Sequence, residues 1–113
     1  MSGDSPPTPS DDEVLEVLRA VAGRGLTQSR PANDDLIKYQ YDIEGVEELL
    51  RECTLSEIHK HEPDHDYPNR NDYVVVLKIA LDEEPQPFYV KVALHLPDMT
   101  NGRLLSFHYW NRL

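Results

Sequence analysis

The chain has 113 residues, of which 39% are hydrophobic, with one cysteine and a formal net charge of −10. This size suits one compact domain with a modest core. Cys53 alone gives no internal disulfide and no cysteine-based zinc site, and no apolar run approaches the ~20 residues of a membrane helix.

The N-terminus, MSGDSPPTPSDDE, has neither a basic start nor an apolar stretch, so it does not read as a signal peptide. A cytoplasmic protein is the simplest expectation. Residues 1–9 read as a disordered, acidic, Pro-rich tail. The first thirteen residues carry four acids and no Lys or Arg, leaving −6 for the rest of the chain. An acidic balance counts against non-specific nucleic-acid binding, which uses a basic surface, but leaves room for a local basic site.

A single domain is expected over 10–113. Ser10-x-x-Glu13 is a capping box that opens a first helix. Val14, Leu15, Val17, Leu18, Val21 and Ala22 give it an apolar stripe, and Gly23 and Gly25 end it. LTQSRPAND reads as a short extended piece and a turn, with Pro31 blocking a helix through it. Leu36–Tyr41 is a short strand or a helix edge. A second helix is expected from Asp42 to about Cys53, with Ile43, Val46, Leu49, Leu50 and Cys53 on one face. Thr54-x-x-Glu57 is another capping box, predicting a short helix from Leu55 to near His61, stopped before Pro63.

The period then changes from helical to alternating. Asp72–Leu81, Pro87–Leu96 and Arg103–Trp110 read as strands joined by the turn-like DEEPQ and PDMTNG. The expected fold class is α+β: two or three N-terminal helices packed on a C-terminal antiparallel sheet of three or more strands. No internal repeat is visible.

Alternation assigns faces. Tyr73, Val75, Leu77, Ile79 and Leu81 of the first strand face the helices, as do Phe88, Val90, Val92, Leu94 and Leu96 of the second. In the last strand Leu105, Phe107 and Tyr109 oppose Leu104, Ser106, His108 and Trp110. Lys78, Tyr89, Lys91, His95, Ser106 and His108 are left on one open face. That set is cationic and protic in an acidic chain. Cleavage of an RNA phosphodiester without a metal needs a base for the 2′-hydroxyl, a donor for the phosphoryl charge and an acid for the leaving oxygen. His, Lys and Tyr supply these groups. The plainer reading is that half-exposed antiparallel sheets ordinarily carry a polar face.

An ordered series of short features runs along residues 14–110. It comprises LTQSR after the first helix, YDIEGVEELL, LSEIHK, the strand start NDYVV, FYVK and SFHYW. In this order they resemble the MqsR-type toxins of bacterial toxin–antitoxin systems, within the RelE-like group of small ribonucleases. The resemblance implies a RelE-like fold and a metal-independent endoribonuclease that cleaves mRNA and inhibits translation. It also implies a cognate antitoxin protein as partner and an mRNA substrate, on the ribosome or off it. It implies that Lys60 contacts phosphate, that Tyr89 lies on the middle strand of the site, and that Asn71 falls near a glutamine of the family. His108 stands where MqsR-type proteins usually carry lysine; other RelE-like members use a terminal-strand histidine as acid or base. On this reading His108, Tyr89 and Lys60 are catalytic, and Lys91, Lys78, Asn71, His59 and His61 bind substrate. No cofactor is implied. This chain departs from the family in its acidic charge, its N-terminal tail and its long DEEPQP connection.

HKHEPDHD, residues 59–66, also invites a metal reading through His59, His61, His65, Asp64 and Asp66. Its spacing fits no standard signature, and His-x-His serves a metal best on a strand. No metal is therefore expected, and the stretch reads as one edge of the catalytic face. A different reading of the same scaffold is a non-enzymatic acidic protein that binds a basic partner or mimics nucleic acid. A homodimer is a further expectation if the final strand lies at the sheet edge.

Overall fold

The protein's structure, a computed structural model, describes residues 9–63, 72–95 and 102–112. The tail before residue 9, Asn71, and the Asp64, His65 and Asp66 of the histidine-rich stretch lie outside the described residues. The fold is α+β, with helices first and strands after, as the sequence predicts.

Helix α1 spans Asp11–Arg24. Ser10 caps it: its hydroxyl oxygen accepts from the Glu13 amide at 3.2 Å, and Asp11, Asp12 and Glu13 place negative charge at the positive end of the helix. The predicted stripe is its buried face. Gly23 lies within the helix, and the chain leaves it at Gly25, whose φ of 112° suits glycine. Helix α3, Ile43–Arg51, is capped by Asp42, which accepts from the Gly45 amide at 2.8 Å. The two helices tie off each other's C-terminal ends. Arg19 Nε donates to the Cys53 carbonyl at 3.1 Å, and an Arg51 guanidinium nitrogen donates to the Ala22 carbonyl at 3.4 Å.

Two segments differ from expectation. Pro31 does not block a helix; it starts one. Helix α2 covers Arg30–Tyr39, with Ser29 as its cap and proline in the first turn, where an amide would lack a partner anyway. The extended piece reduces to β1, Thr27–Gln28, and Leu36–Tyr39 are helical. The second difference concerns 55–61. The Thr54/Glu57 capping box is present, with the Thr54 amide donating to Glu57 Oε1 at 2.9 Å. It supports only one 3₁₀ turn, Leu55–Glu57, after which the chain becomes strand β2, Ile58–Pro63. The helix to His61 is therefore not formed. β2 gains a full antiparallel partner in β3, Asp72–Ile79, whereas a helix of this length would have been marginal alone.

β4 is Phe88–His95 and β5 is Gly102–Tyr109. The sheet order is β1-β5-β4-β3-β2, antiparallel except for β1, which runs parallel to β5. The helices cover one face. The core between the layers joins Val14, Leu18 and Val21 of α1, Val46 and Leu50 of α3 and Leu36 of α2 to the inward side chains of the sheet.

The predicted alternation holds along β3 and β4 but fails in β5. The register runs Lys91↔Ser106 and then Val92↔Leu104, so Leu105 is an extra residue in a β-bulge. The bulge shifts parity: Leu104 is fully buried in the core, and Leu105 is only half-buried.

The final strand is not a sheet edge, contrary to the expectation that allowed a homodimer there. β1 covers its first residues. Beyond β1, α2 satisfies the outer backbone group by group. The Ser29 amide donates to the Leu104 carbonyl at 2.9 Å and the Ser29 hydroxyl to the Leu105 carbonyl at 3.3 Å. Asp35 Oδ2 accepts from the Phe107 amide at 3.0 Å, and the Tyr39 hydroxyl accepts from the Tyr109 amide at 3.4 Å. The opposite edge, β2, carries a bulge at His59, the charge of Lys60, and Pro63, all features that discourage pairing with another strand.

Candidate functional site

No described helix covers the second face of the sheet, and beyond the outermost pair, Asp72 and His95, strand pairing arranges its residues in three rungs. Glu62, Val74, Ala93 and Arg103 lie on one. Lys60, Val76, Lys91 and Ser106 lie on the next. Lys78, Tyr89 and His108 form the third. Neighbours sit about 5 Å apart across strands and about 7 Å apart along them. Val76 is 2% exposed although no helix covers it. It lies between Lys60 and Lys91 on its rung.

Four cations, Lys60, Lys78, Lys91 and Arg103, thus share this face. Among the strand residues with described side chains, Glu62 is its only acid. The acids cluster elsewhere: on α1, on α3 and its cap, and in the β3–β4 connection at Asp82, Glu83 and Glu84. The net charge of −10 therefore conceals a basic sheet face behind an acidic helical layer.

The third rung holds the Tyr89 and His108 rings. The Tyr89 and His108 rings are stacked, with centroids 5.0 Å apart and planes 13° from parallel. His108 Nδ1 lies 2.9 Å from the Tyr109 carbonyl oxygen. That oxygen can only accept, so Nδ1 is the donor there, which leaves Nε2 as the ring's second nitrogen. Burial, and then the charge of Glu62, raise the Tyr89 hydroxyl above its ordinary value. Tyr89 therefore holds its proton at neutral pH. An imidazole and a protonated phenol thus lie side by side on this rung.

The end of this rung is built by residues that sequence alternation did not single out. After β5 the chain makes a 3₁₀ turn, Trp110–Arg112. Trp110 does not simply continue the strand. Its ring meets His59 at 4.9 Å, Tyr89 at 5.7 Å and the Lys78 ammonium at 5.0 Å. The turn is tied to the β3–β4 connection: the Trp110 amide donates to the Pro87 carbonyl at 2.8 Å, and the Asn111 amide to Gln86 Oε1 at 3.0 Å. The long DEEPQP connection is thus the support of Trp110. Arg103 was missed because the bulge places it, against simple alternation, on the open face.

Of the residues expected in the site, His108, Tyr89, Lys60, Lys78, Lys91 and His59 come together on the open face. His61 does not. It pairs with Val75 and faces the helices, where Nε2 lies 2.8 Å from Asp11 Oδ1, with its side chain 10% exposed. His59 and His61 therefore share neither a face nor a ligand set, because the bulge separates them, and no group of metal-ligating side chains occurs among the described residues. Burial pushes the Cys53 thiol up to about 12, which removes it as a nucleophile. No helix among the described residues is long and apolar enough to cross a membrane.

Compared with known protein families, with curated proteins and with solved structures, the chain matches none. Its function has to be read from the geometry of this face.

Proposed function

We propose that the open sheet face is the active site of a metal-independent endoribonuclease, acting on mRNA as the toxin of a toxin–antitoxin pair. The stacked Tyr89–His108 pair, set among lysines, carries this reading. His108 Nε2 takes the proton of a ribose 2′-hydroxyl, and that oxygen attacks the adjacent phosphorus. The bond from phosphorus to the 5′-oxygen breaks, leaving a 2′,3′-cyclic phosphate, and the 5′-oxygen takes the Tyr89 proton. Exchange with solvent then removes the proton from His108 and returns one to Tyr89, restoring both groups. Lys91, with Lys60 and Arg103 beyond it, stabilises the charge that gathers on the phosphoryl oxygens. Lys78 neutralises the neighbouring backbone phosphate. The acidic helical layer lies on the far side and suits a basic surface of an antitoxin, which leaves the sheet face to the substrate.

The test is incubation of the purified chain with single-stranded RNA in excess chelator. Cleavage with cyclic-phosphate ends is expected, falling by roughly 10²–10⁴ in His108→Ala. Intact RNA with the wild type, together with stable capture of a basic protein, would favour the non-enzymatic interaction protein. Full activity in His108→Ala would remove that residue from the mechanism.

A further inference from the structure

The corner formed by Trp110, His59 and Lys78, beside Tyr89, takes no part in the proton transfers described above. It is nonetheless built with care. Trp110 is held by two hydrogen bonds from amides of its own turn to the β3–β4 connection, one to the Pro87 carbonyl and one to the Gln86 side chain, so its position is set before any ligand arrives. The ring is half-buried, whereas His59 and Lys78 are exposed. None of the described rings stacks face to face on it: His59 meets it at 78° and Tyr89 at 50°. An ordered, partly exposed aromatic beside a lysine is the arrangement by which proteins hold unpaired bases, since every base offers a π-face. Tyr89 and His108 lie directly beside it, so a base resting there belongs to a nucleotide next to the bond being cut.

We propose that Trp110 is a stacking site for an unpaired nucleobase flanking the scissile phosphate, with His59 bordering the base and Lys78 pairing with its phosphate. This rests on the ribonuclease reading for the word "scissile", but the stacking itself can stand without it. A duplex keeps its bases stacked on each other, so the site selects single-stranded chains. When a base covers Trp110, the Lys78 ammonium leaves the ring face and is free for the backbone.

The chain has a single tryptophan, which makes Trp110 its own reporter. Titration with a single-stranded 2′-O-methyl RNA hexamer, which cannot be cleaved through its 2′-oxygen, should quench tryptophan fluorescence. An abasic hexamer of the same length should bind about 5- to 150-fold more weakly, the range for loss of one stacked base. Trp110→Phe should retain most of the affinity, and Trp110→Ala should lose it with an unchanged salt dependence, because no phosphate contact is removed. Equal affinity for the abasic oligomer, or saturation without quenching, would overturn the proposal. Quenching by the hexamer with unmodified RNA left intact would uphold the stacking site and refute the nuclease. RNA cleavage that is unchanged in Trp110→Ala would do the reverse.

Discussion

Gly102 opens β5 on its core face, opposite Leu94, and a single added methyl group there tests how tightly α1 is seated on the sheet. A Cβ at this position would lie 2.3 Å from Val21 Cγ1 and 2.8 Å from Leu26 Cδ2. Carbon atoms in contact sit about 3.5–4.0 Å apart, so Val21, which is fully buried, would have to retreat by more than an ångström. Overpacking of this kind costs about 1–3 kcal/mol. The φ of Gly102 is not positive, so alanine fits the backbone and recovers about 0.5–1 kcal/mol of chain entropy. Two such close contacts place the cost in the upper part of that range, about 2–3 kcal/mol, so Gly102→Ala should lose a net of about 1–2.5 kcal/mol, lowering the urea midpoint by about 0.5–1.5 M. Gly23 provides the control: it lies in α1 with nothing within 4 Å of a built Cβ, and Gly23→Ala should gain about 0.5–1 kcal/mol. Val21→Ala alone should destabilise by opening a cavity. Combined with Gly102→Ala it should cost less than the two losses added together, by at least about 0.5 kcal/mol, because the new methyl occupies the space vacated. Strict additivity in that cycle, or a Gly102→Ala chain as stable as the wild type, would refute the close seating of α1 on β5.

Asp35→Ala leaves the Phe107 amide without its acceptor and should cost about 1–3 kcal/mol in chemical denaturation, while Asp35→Asn, which keeps an oxygen, should cost less. Equal losses in the two variants would show that charge, not the hydrogen bond, matters there. The alkaline limb is set partly by Glu84, which accepts from Tyr41 at 3.4 Å and from Tyr109 at 2.9 Å. Burial and then Glu84 raise Tyr41 above its ordinary 10.0, and the Glu84 hydrogen bond first of all raises Tyr109. Both tyrosines keep their protons longer in the folded chain, so the stability they contribute is complete below pH 10 and is lost as pH climbs through their folded values. The Tyr41→Phe/Tyr109→Phe double variant should lose stability less steeply above pH 10 in thermal melts, and an unchanged slope would show that these hydroxyls do not control it.

The helical stripes and the strand alternation were legible because each is a local period that burial enforces. Val14 to Ala22 and Val75 to Ile79 fall where their spacing puts them. Pro31 fits both readings because proline is tolerated in the first turn of a helix as readily as it is excluded from the middle, and only Ser29, two residues before it, reveals which applies. The Ile58–Pro63 segment was misread because its strand character comes from β3, a partner brought in from later in the chain. Neither bulge has a local signature. Each changes which side of the strand a residue occupies, so Arg103 and Leu104 exchanged faces, and His59 and His61 were divided. The lysines and rings of β3 and β4 were placed correctly for the opposite reason: the eight pairs from Asp72↔His95 to Ile79↔Phe88 run without a break in register.

A net charge can mislead where the placement of the charges does not. The outward acids of α1 and α3 are separated from the open face by the sheet, by a helix-to-sheet spacing of about 10 Å and by part of a helix diameter, itself about 10–12 Å. At physiological ionic strength the Debye length is about 8 Å, so that negative layer is largely screened from a chain approaching the other side. Lys60, Lys78, Lys91 and Arg103 then dominate the local field, with Glu62 the one acid of described side chain on the strands there and Asp72 at the far end of the face. At low ionic strength the acidic layer reaches through, opposing a polyanion just when its attraction to the lysines should be strongest. The usual linear rise of nucleic-acid affinity as salt is removed should consequently flatten for this protein. That flattening separates a basic face on an acidic body from a uniformly basic binder, and it follows from placing the same residues whose sum, taken alone, argues against nucleic acid.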